Sequence, residues 1–233
     1  YIEAKVNLQK ANGTKVEDGK EVSVVNNTTH SLIKRLNVKI GDISIVNSDN
    51  DFYFYKAYLK NLLGLSRDVK GAQIGLAADN FSTDSAHSFD VMSETNVGFE
   101  LRRKAFAKAE TVSSVTTYKY YGDDVTYLAR LQHDLVSCDV PLIPGIEVLI
   151  ELSLNKNEFL IKCPSTDTEK YQLKVKELFL HVPIGILSAS LYSSLEASLR
   201  NTPVLMHYTR TVVNVLEIPT NSLNFTAETI FSR

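Results

Sequence analysis

The opening of the chain alternates apolar and polar residues with a period of two. Apolar residues occupy positions 2, 4, 6 and 8, and polar residues occupy positions 3, 5, 7 and 9. Successive side chains of a β-strand point to opposite faces, so this pattern predicts a strand with one face on a core and the other in water. The same period recurs over residues 146–154 and 171–176. We expect antiparallel strands at both places.

A hairpin is predicted over residues 35–46. Apolar and polar residues alternate up to Ile40, and Gly41-Asp42 then interrupts the pattern ahead of a further apolar pair. Glycine readily adopts the positive φ that a two-residue hairpin turn requires. We therefore expect the chain to reverse direction at this dipeptide and to return as an antiparallel strand.

Further strands are predicted in the rest of the chain. After Glu177 the alternation gives way to the continuous apolar run Leu178-Phe179-Leu180. This change indicates a strand that passes through a bulge into a position buried on both faces. A turn at 155–157 leads into a short strand at 159–161. The remaining predicted strands cover residues 111–121, 125–136, 204–209 and 211–218.

Two helices are predicted by apolar stripes of helical period. The first covers residues 52–63 and ends at Gly64, a residue that favours helix C-termini; the second covers residues 187–200, with Ser188 as its N-cap. We expect both stripes to face the core. The stripes consist of Phe52, Tyr55, Leu59, Leu62 and Leu63 in the first helix and Leu187, Leu191, Leu195 and Leu199 in the second.

These elements predict an all-β fold with two short helical insertions. Many short strands in one chain need an antiparallel sandwich, barrel or jelly roll to end their sheets without exposed edges. We expect residues 1–233 to form one such domain, with a Gly-, Ser-, Asp- and Asn-rich surface excursion at about 64–98. The chain begins at Tyr1 rather than Met, and we expect it to be part of a longer polypeptide.

Composition narrows the classes of partner. The net charge of −2 gives the chain no general attraction for nucleic acid, so we expect no specific nucleic-acid binding. The apolar runs are much shorter than the roughly 18–20 residues of a membrane-spanning helix, so no membrane span is predicted. The two cysteines, Cys138 and Cys163, are too few for a disulfide-rich scaffold and lack the spacing of a zinc site.

The sequence contains no recognisable catalytic motif. There is no Gly-x-Ser-x-Gly, no phosphate-binding glycine loop and no paired-histidine metal motif. His133-Asp134 and Cys138-Asp139 are sequence neighbours, and adjacent strand side chains point to opposite faces, so neither forms an acid–base pair. We expect no enzyme activity, no cofactor, and no catalytic, cofactor-binding or metal-binding residue. A hydrolase site assembled from distant residues remains an alternative.

Two short segments could contact a partner. Arg102-Arg103-Lys104, followed by Lys108, is the main basic cluster; it is typical of a solvated face or an inter-subunit contact, and less so of a phosphate site. The aromatic residues 52–55, joined by Tyr58, favour a helix docked on the sandwich. They could also meet a neighbouring subunit or form a stacking platform for sugars or bases.

Four short blocks follow one another along the chain in an order that is more telling than any single motif. They are Tyr55-Lys56-Ala57-Tyr58-Leu59 with Leu62-Leu63, Leu131-Gln132-His133-Asp134-Leu135, the stretch 139–154, and 217–225 leading to Ile230-Phe231-Ser232. Their order resembles a known protein family, the major capsid (hexon-like) proteins of Polinton/Maverick elements and adintoviruses. Gly41-Asp42 stands where that family has Asn-Gly, and Ser137-Cys138-Asp139 stands where it has Gln-Asp.

The resemblance implies a structural protein of the virion, assembled inside the host cell. The chain would be the first of two jelly rolls, and the homotrimer would form a pseudo-hexagonal tile of an icosahedral shell, in contact with neighbouring capsomers and with a penton or minor capsid protein. We expect the contacts in the 64–98 excursion, the two helices and the Arg102–Lys108 segment. Without its second roll the chain would expose a large apolar face and self-associate.

Two further functions remain open besides the hydrolase. One is a single-jelly-roll penton or minor capsid protein, which would form pentamers. The other is a carbohydrate-binding β-sandwich that uses the Tyr-rich segment.

Overall fold

The computed structural model describes residues 1–45, 52–66, 96–136, 141–143 and 145–202, together with the single residues 205, 207, 211 and 213. Ten strands and five helices lie in this part of the chain. The strands are β1 (Ile2–Lys10), β2 (Ser23–Val24), β3 (Ile33–Ile40), β4 (Ile43–Ser44), β5 (Ala107–Val112), β6 (Val115–Tyr120), β7 (Asp124–Ala129), β8 (Val148–Leu154), β9 (Ile161–Lys162) and β10 (Tyr171–Leu180). The helices are α1 (Thr28–Ser31), α2 (Tyr53–Gly64), α3 (Val97–Phe106), α4 (Asn157–Leu160) and α5 (Ala189–Asn201).

The strands form two three-stranded and two two-stranded sheets. The larger sheets have the orders β10-β1-β7 and β4-β3-β8, and the smaller ones pair β2 with β9 and β5 with β6. Every one of these strand pairs is antiparallel. The described chain is therefore mostly antiparallel sheet with few and mostly short helices, consistent with the predicted all-β sandwich.

The alternating pattern of β1 is confirmed. Its apolar residues Ile2, Ala4, Val6 and Leu8 are all buried, and the strand lies at the centre of its sheet between β10 and β7. Its other face is not simply in water, because Asn7 is also buried. The Asn7 amide donates hydrogen bonds to the carbonyl oxygen of Gly122 at 2.7 Å and to a carboxylate oxygen of Asp124 at 2.8 Å.

The hairpin predicted at Gly41-Asp42 is also confirmed. β3 and β4 pair at Lys39–Ser44 and Ile40–Ile43, and Gly41 has a φ of +56°. The predicted single strand at 111–121 is wrong, because the chain folds back at Ser113-Ser114 and forms the β5–β6 hairpin. Both serines have positive φ values. Neither is the glycine or asparagine that usually marks such a turn, so the sequence contains no signal for it.

β10 contains the predicted bulge. Lys5 pairs with Glu177 and Val6 pairs with Val175, so Lys176 is the extra residue. The expected burial of Leu178-Phe179-Leu180 on both faces is wrong, since all three are exposed and Phe179 is 50% exposed. β10 is an edge strand, paired only with β1 among the described residues.

Other sequence predictions need correction or lie outside the described residues. Residues 157–160 form a helical turn rather than the start of a strand, and the Asn157 side chain accepts a hydrogen bond from the backbone N–H of Leu173 at 3.0 Å. The strand predicted at 125–136 ends at Ala129. The helix α3 was not predicted. The strands expected at 204–209 and 211–218 and most of the 64–98 excursion lie outside the described residues.

Two apolar clusters form the core. The first lies between the β10-β1-β7 sheet, β2, α3 and the β5–β6 hairpin, and the second lies where β3 and α2 meet the start of β1 and the segment after β7. Burying an aliphatic or aromatic side chain of this size contributes about 1.5–3 kcal/mol. Ile2 belongs to the second cluster although its strand mainly supports the first, so β1 joins the two.

Candidate functional site

An apolar cleft opens between the two three-stranded sheets. Ile2 and Leu131 form its base, since both are buried, and its sides come from Ile150 and Leu152 of β8 and from the last three residues of β10. Its volume is about 120 Å³. Because only aliphatic and phenyl side chains line it, the cleft is suited to another apolar side chain rather than to a polar substrate.

The apolar surface continues from the cleft along β8. Val148 and Leu154, on the same face of the strand as Ile150 and Leu152, are exposed at its two ends. β8 is an edge strand, paired only with β3 among the described residues. Scattered exposed apolar residues are normal on a protein surface, whereas a contiguous apolar patch with an open strand edge is typical of an interaction surface.

Residues 182–202, which we call the α5 excursion, leave the body of the protein next to this cleft. The departure point is fixed by His181, whose backbone N–H donates to the carbonyl oxygen of Tyr1 at 2.8 Å and whose Nε2 lies 2.6 Å from Oε2 of Glu3. Beyond it Val182, Ile184 and Ile186 are all exposed, Ile186 to 96%. An apolar residue left this open favours a surface that another chain covers.

The helix of the excursion begins as the sequence predicts. The hydroxyl of Ser188 accepts a hydrogen bond from the backbone N–H of Leu191 at 3.4 Å, so Ser188 is the N-cap of α5. The expectation that its leucine stripe faces the core is wrong, because α5 has no buried residue. Leu191 is exposed, whereas Leu195 and Leu199 are half-buried.

The orientation of α2 differs from the sequence prediction. Ala57 is fully buried and Leu63 is 83% exposed, so the predicted stripe points outward. The helix packs instead through Tyr53, Ala57 and Asn61, which lie four residues apart on one face. Within the aromatic segment Tyr53 is buried, while Tyr55 and Tyr58 are exposed.

Asp134 anchors the packed side of α2 electrostatically. Its two carboxylate oxygens lie 2.6 Å from Nζ of Lys56 and 2.9 Å from Nζ of Lys60, and its Oδ2 also accepts the backbone N–H of Thr211 at 2.8 Å. Burial alone would raise the pKa of Asp134, but these hydrogen bonds outweigh it and lower the pKa to about 2. The carboxylate therefore stays charged and holds α2 in one position.

A buried hydrogen-bonded network continues from this anchor under α2. Nδ1 of His30 and the Tyr53 hydroxyl are hydrogen-bonded at 2.9 Å, and the same hydroxyl accepts the backbone N–H of Gln132 at 3.2 Å. The Gln132 side chain then donates to Asn61 at 3.0 Å. Burial lowers the pKa of His30 to about 4, so its imidazole is neutral at pH 7.

The basic segment Arg102–Lys108 does not form the exposed contact face that its sequence indicates. Arg102 is 0% exposed, and its Nε donates to the carbonyl oxygen of Val24 at 2.9 Å. Arg103 is also buried: its guanidinium lies 3.7 Å from the centre of the Tyr118 ring and donates to the carbonyl oxygen of Lys20 at 2.7 Å. The interpretation as a solvated or inter-subunit face is therefore wrong for these two arginines, which stabilise the interior.

A second, polar depression of about 540 Å³ lies beside the β1–β7 pairing. It is lined by Lys15, Lys176, Asp123 and Asp124 together with Asn7, Gln9, Gly13 and Gly122. The Asn7 amide is already bound to Gly122 and Asp124. The charges of both signs are typical of a solvated surface.

The titratable residues of the described chain do not assemble into a metal site. Within the ranges that the structure describes, no group of three or more His, Cys, Asp or Glu side chains could hold a metal ion, and no helix is long and apolar enough to cross a membrane. Nδ1 of His133 accepts the backbone N–H of Leu135 at 3.2 Å. Burial raises the pKa of the Cys163 thiol. Cys138-Asp139 lies outside the described residues.

Comparison of the chain with models of protein families, with curated proteins and with solved structures gave no match.

The cleft and the α5 excursion were only partly visible in the sequence. The alternation over β8 and the apolar run 178–180 of β10 predict that both strands carry apolar side chains. The pattern did not reveal that, among the described residues, both strands lie at the edges of their sheets. The alternation of Val182, Ile184 and Ile186 is a sequence signal of the exposed apolar segment that follows β10.

Proposed function

We propose that this chain is a structural protein whose function is to assemble with copies of itself. One observation carries the proposal: apolar side chains of β8 and of the end of β10 are exposed around an apolar cleft, and the apolar side chains of the α5 excursion, which follows β10 in the chain, are exposed as well. A soluble monomer rarely leaves a contiguous surface of this kind in water. Covering it by identical chains would supply the hydrophobic stabilisation of an assembly.

Within this class we propose a hexon-like major capsid protein of the Polinton/adintovirus type. The order of the sequence blocks described above supports this assignment. The homotrimer would be the tile, neighbouring capsomers and a penton or minor capsid protein would be its partners, and the virion shell would be its location. The role is mechanical, so it requires no catalytic residue or cofactor.

The jelly-roll arrangement is part of the same proposal. Three non-local pairings support it: β1 pairs with β10 and with β7, and β3 pairs with β8. A jelly roll consists of two nested Greek keys, in which strands distant in sequence lie side by side in antiparallel order. Sequential hairpins alone would give a meander, whereas here the first strand lies beside the last strand of the described chain.

The firmly anchored α2 supports the role of a rigid tile. Its packed face is fixed by Asp134 and the His30–Tyr53 contact, while its outer face presents Leu59, Leu62 and Leu63. An interface surface that is already ordered before association loses less conformational entropy when it binds. An apolar helix face on a rigid support is therefore a suitable contact between tiles.

Sedimentation velocity over a hundredfold range of concentration, followed by negative-stain electron microscopy, tests the proposal. We expect trimers at high concentration and a weaker trimer in the variant Phe179→Glu, because this residue lies in the exposed apolar surface. The matched control is Lys174→Glu, an exposed position on the same strand. A stable pentamer would favour the penton alternative, and a monomer at every concentration would overturn self-assembly.

A further inference from the structure

We propose that the α5 excursion of one copy docks on the apolar cleft of a neighbouring copy. The inference rests on the proposed self-assembly and specifies the contact that produces it. The inserting element is the leucine stripe of α5, and the receiving element is the cleft between β8 and β10.

The excursion has the chemistry of a docking element. Leu191, Leu195 and Leu199 are spaced by four and lie on one side of α5, and Leu187 precedes the helix at the same spacing. In the part of the chain that the structure describes, the hydrogen bonds of the helix stay within residues 188–202, as between Arg200 and Glu196 at 2.8 Å. Within the described chain, its polar side is therefore self-contained and its apolar side is available for packing.

The cleft has the matching chemistry. It is lined only by apolar side chains and has a volume of about 120 Å³, which is room for several water-sized groups and hence for a leucine side chain. Its rim is the exposed apolar surface of β8 and β10. Inserting one leucine would remove apolar surface from water on both partners.

The chain length available fits an interface between two copies. One side of a stable protein interface consists of roughly 20–30 residues, and the excursion extends from residue 182 to residue 202. It is tethered on both sides, by the His181–Tyr1 hydrogen bond before it and by the Thr211–Asp134 hydrogen bond after it. A tethered element keeps its position on the body and can reach outward to a second copy.

A second copy is also the occupant that symmetry favours. Every copy carries both the excursion and the cleft, so each contact made by one copy can be repeated by the next one. The excursion starts two residues after Leu180, which itself lines the cleft. The two complementary surfaces therefore adjoin each other and could form one continuous interface.

Disulfide trapping between two differently tagged copies tests the contact. One copy carries Leu191→Cys and the other carries Leu152→Cys, both in a background with Cys138→Ser and Cys163→Ser. Mild oxidation of the mixture should give a dimer that carries both tags. The matched control replaces Leu191→Cys with Ser193→Cys, which lies on the opposite side of α5, and it should give at least fivefold less of this dimer.

Two results would overturn the contact. One is an equal yield of doubly tagged dimer from Leu191→Cys and Ser193→Cys. The other is a rapid disulfide within a single chain that carries both Leu191→Cys and Leu152→Cys at high dilution, which would mean that the excursion folds onto its own body.

A second measurement separates this inference from the proposed function. The double variant Leu191→Asp and Leu195→Asp should raise the concentration at which the oligomer dissociates by at least tenfold, while Ser193→Asp should not. An unchanged oligomer in the double variant would reject the α5 contact and leave self-assembly intact. A wild-type chain that stays monomeric would reject both.

Discussion

The Nζ atom of Lys56 lies 2.6 Å from Oδ2 of Asp134, and the backbone N–H of Thr211 donates to the same oxygen at 2.8 Å. One buried carboxylate thus joins α2, the segment that follows β7 and a residue close to the C-terminal end of the described chain. The other carboxylate oxygen of Asp134 lies 2.9 Å from Nζ of Lys60, so both oxygens are bonded. We expect the position of α2 to depend on this charge.

Replacing Asp134 with Asn should therefore destabilise the protein. The substitution keeps the size of the side chain but removes the charge that two lysines share, and the loss of a charge-assisted hydrogen bond at a buried site costs about 2–3 kcal/mol. Urea denaturation followed by fluorescence or circular dichroism would measure it. The control is Glu196→Gln, whose partner Arg200 is exposed and whose loss should matter little. Equal stability of both variants would contradict the anchoring role.

Stability should fall when the pH drops from about 6.5 to about 4. The pKa of His30 is lowered by burial from 6.5 to about 4 in the folded protein. Between these two values the unfolded chain binds a proton that the folded chain does not, so acid favours unfolding in this window, by about 3 kcal/mol for one fully shifted histidine. Burial, assisted by the nearby Lys56 charge, lowers the pKa of His133 to about 4 as well.

The variant His30→Gln isolates one of the two histidines. Glutamine can still hydrogen-bond to Tyr53 but cannot titrate, so the slope of the unfolding free energy against pH should become about half as steep between pH 4 and 6.5. Stability above pH 7 should show no pH dependence from this site in either protein. An unaltered slope in the variant would show that His30 takes up its proton without unfolding.

Charge reversal at a buried arginine of α3 should lower the stability of the fold rather than act directly on assembly. Arg102 is fully buried and Lys104 is exposed on the same helix, so Arg102→Glu buries an unpaired charge whereas Lys104→Glu does not. Losing one member of a buried polar contact costs about 3–5 kcal/mol. Thermal unfolding should show a large loss for Arg102→Glu and almost none for Lys104→Glu. A stably folded Arg102→Glu variant with altered oligomers would instead indicate that Arg102 lies in an inter-subunit contact.

The orientation of α2 can be tested with two apolar positions. Ala57 is fully buried against β3, so Ala57→Leu should overpack the core and cost about 1–3 kcal/mol. Leu63 is exposed, and Leu63→Ser should leave the unfolding midpoint of the dilute protein nearly unchanged. The reverse ranking would mean that the outer stripe is the packed one.

Replacing the two central residues of the β5–β6 turn should stabilise the protein. Ser113 and Ser114 have φ values of 51° and 64°, a conformation that costs an ordinary residue about 1 kcal/mol and that Asn-Gly adopts readily. The double variant Ser113→Asn and Ser114→Gly should raise the unfolding midpoint. Ser114→Val is the opposite control, because a β-branched residue is poorly tolerated at positive φ, and it should lower the midpoint.

The sequence by itself determined the local elements. Period-two alternation placed β1, β8 and β10, the Gly41-Asp42 dipeptide placed a hairpin turn, and the serine before α5 placed its N-cap. These features depend on dihedral preferences and on side-chain spacing within a few residues. For the same reason the pattern also located the bulge near Glu177.

Only the tertiary structure decided which faces are buried. A stripe of leucines in α2 looks like a core face, yet Asp134 holds the helix by its lysines and turns Ala57 inward. The burial of the α3 arginines and the edge positions of β8 and β10 among the described strands likewise depend on neighbours far away in sequence. Burial is a property of the whole packed chain, because the free energy of a side chain depends on what surrounds it in space.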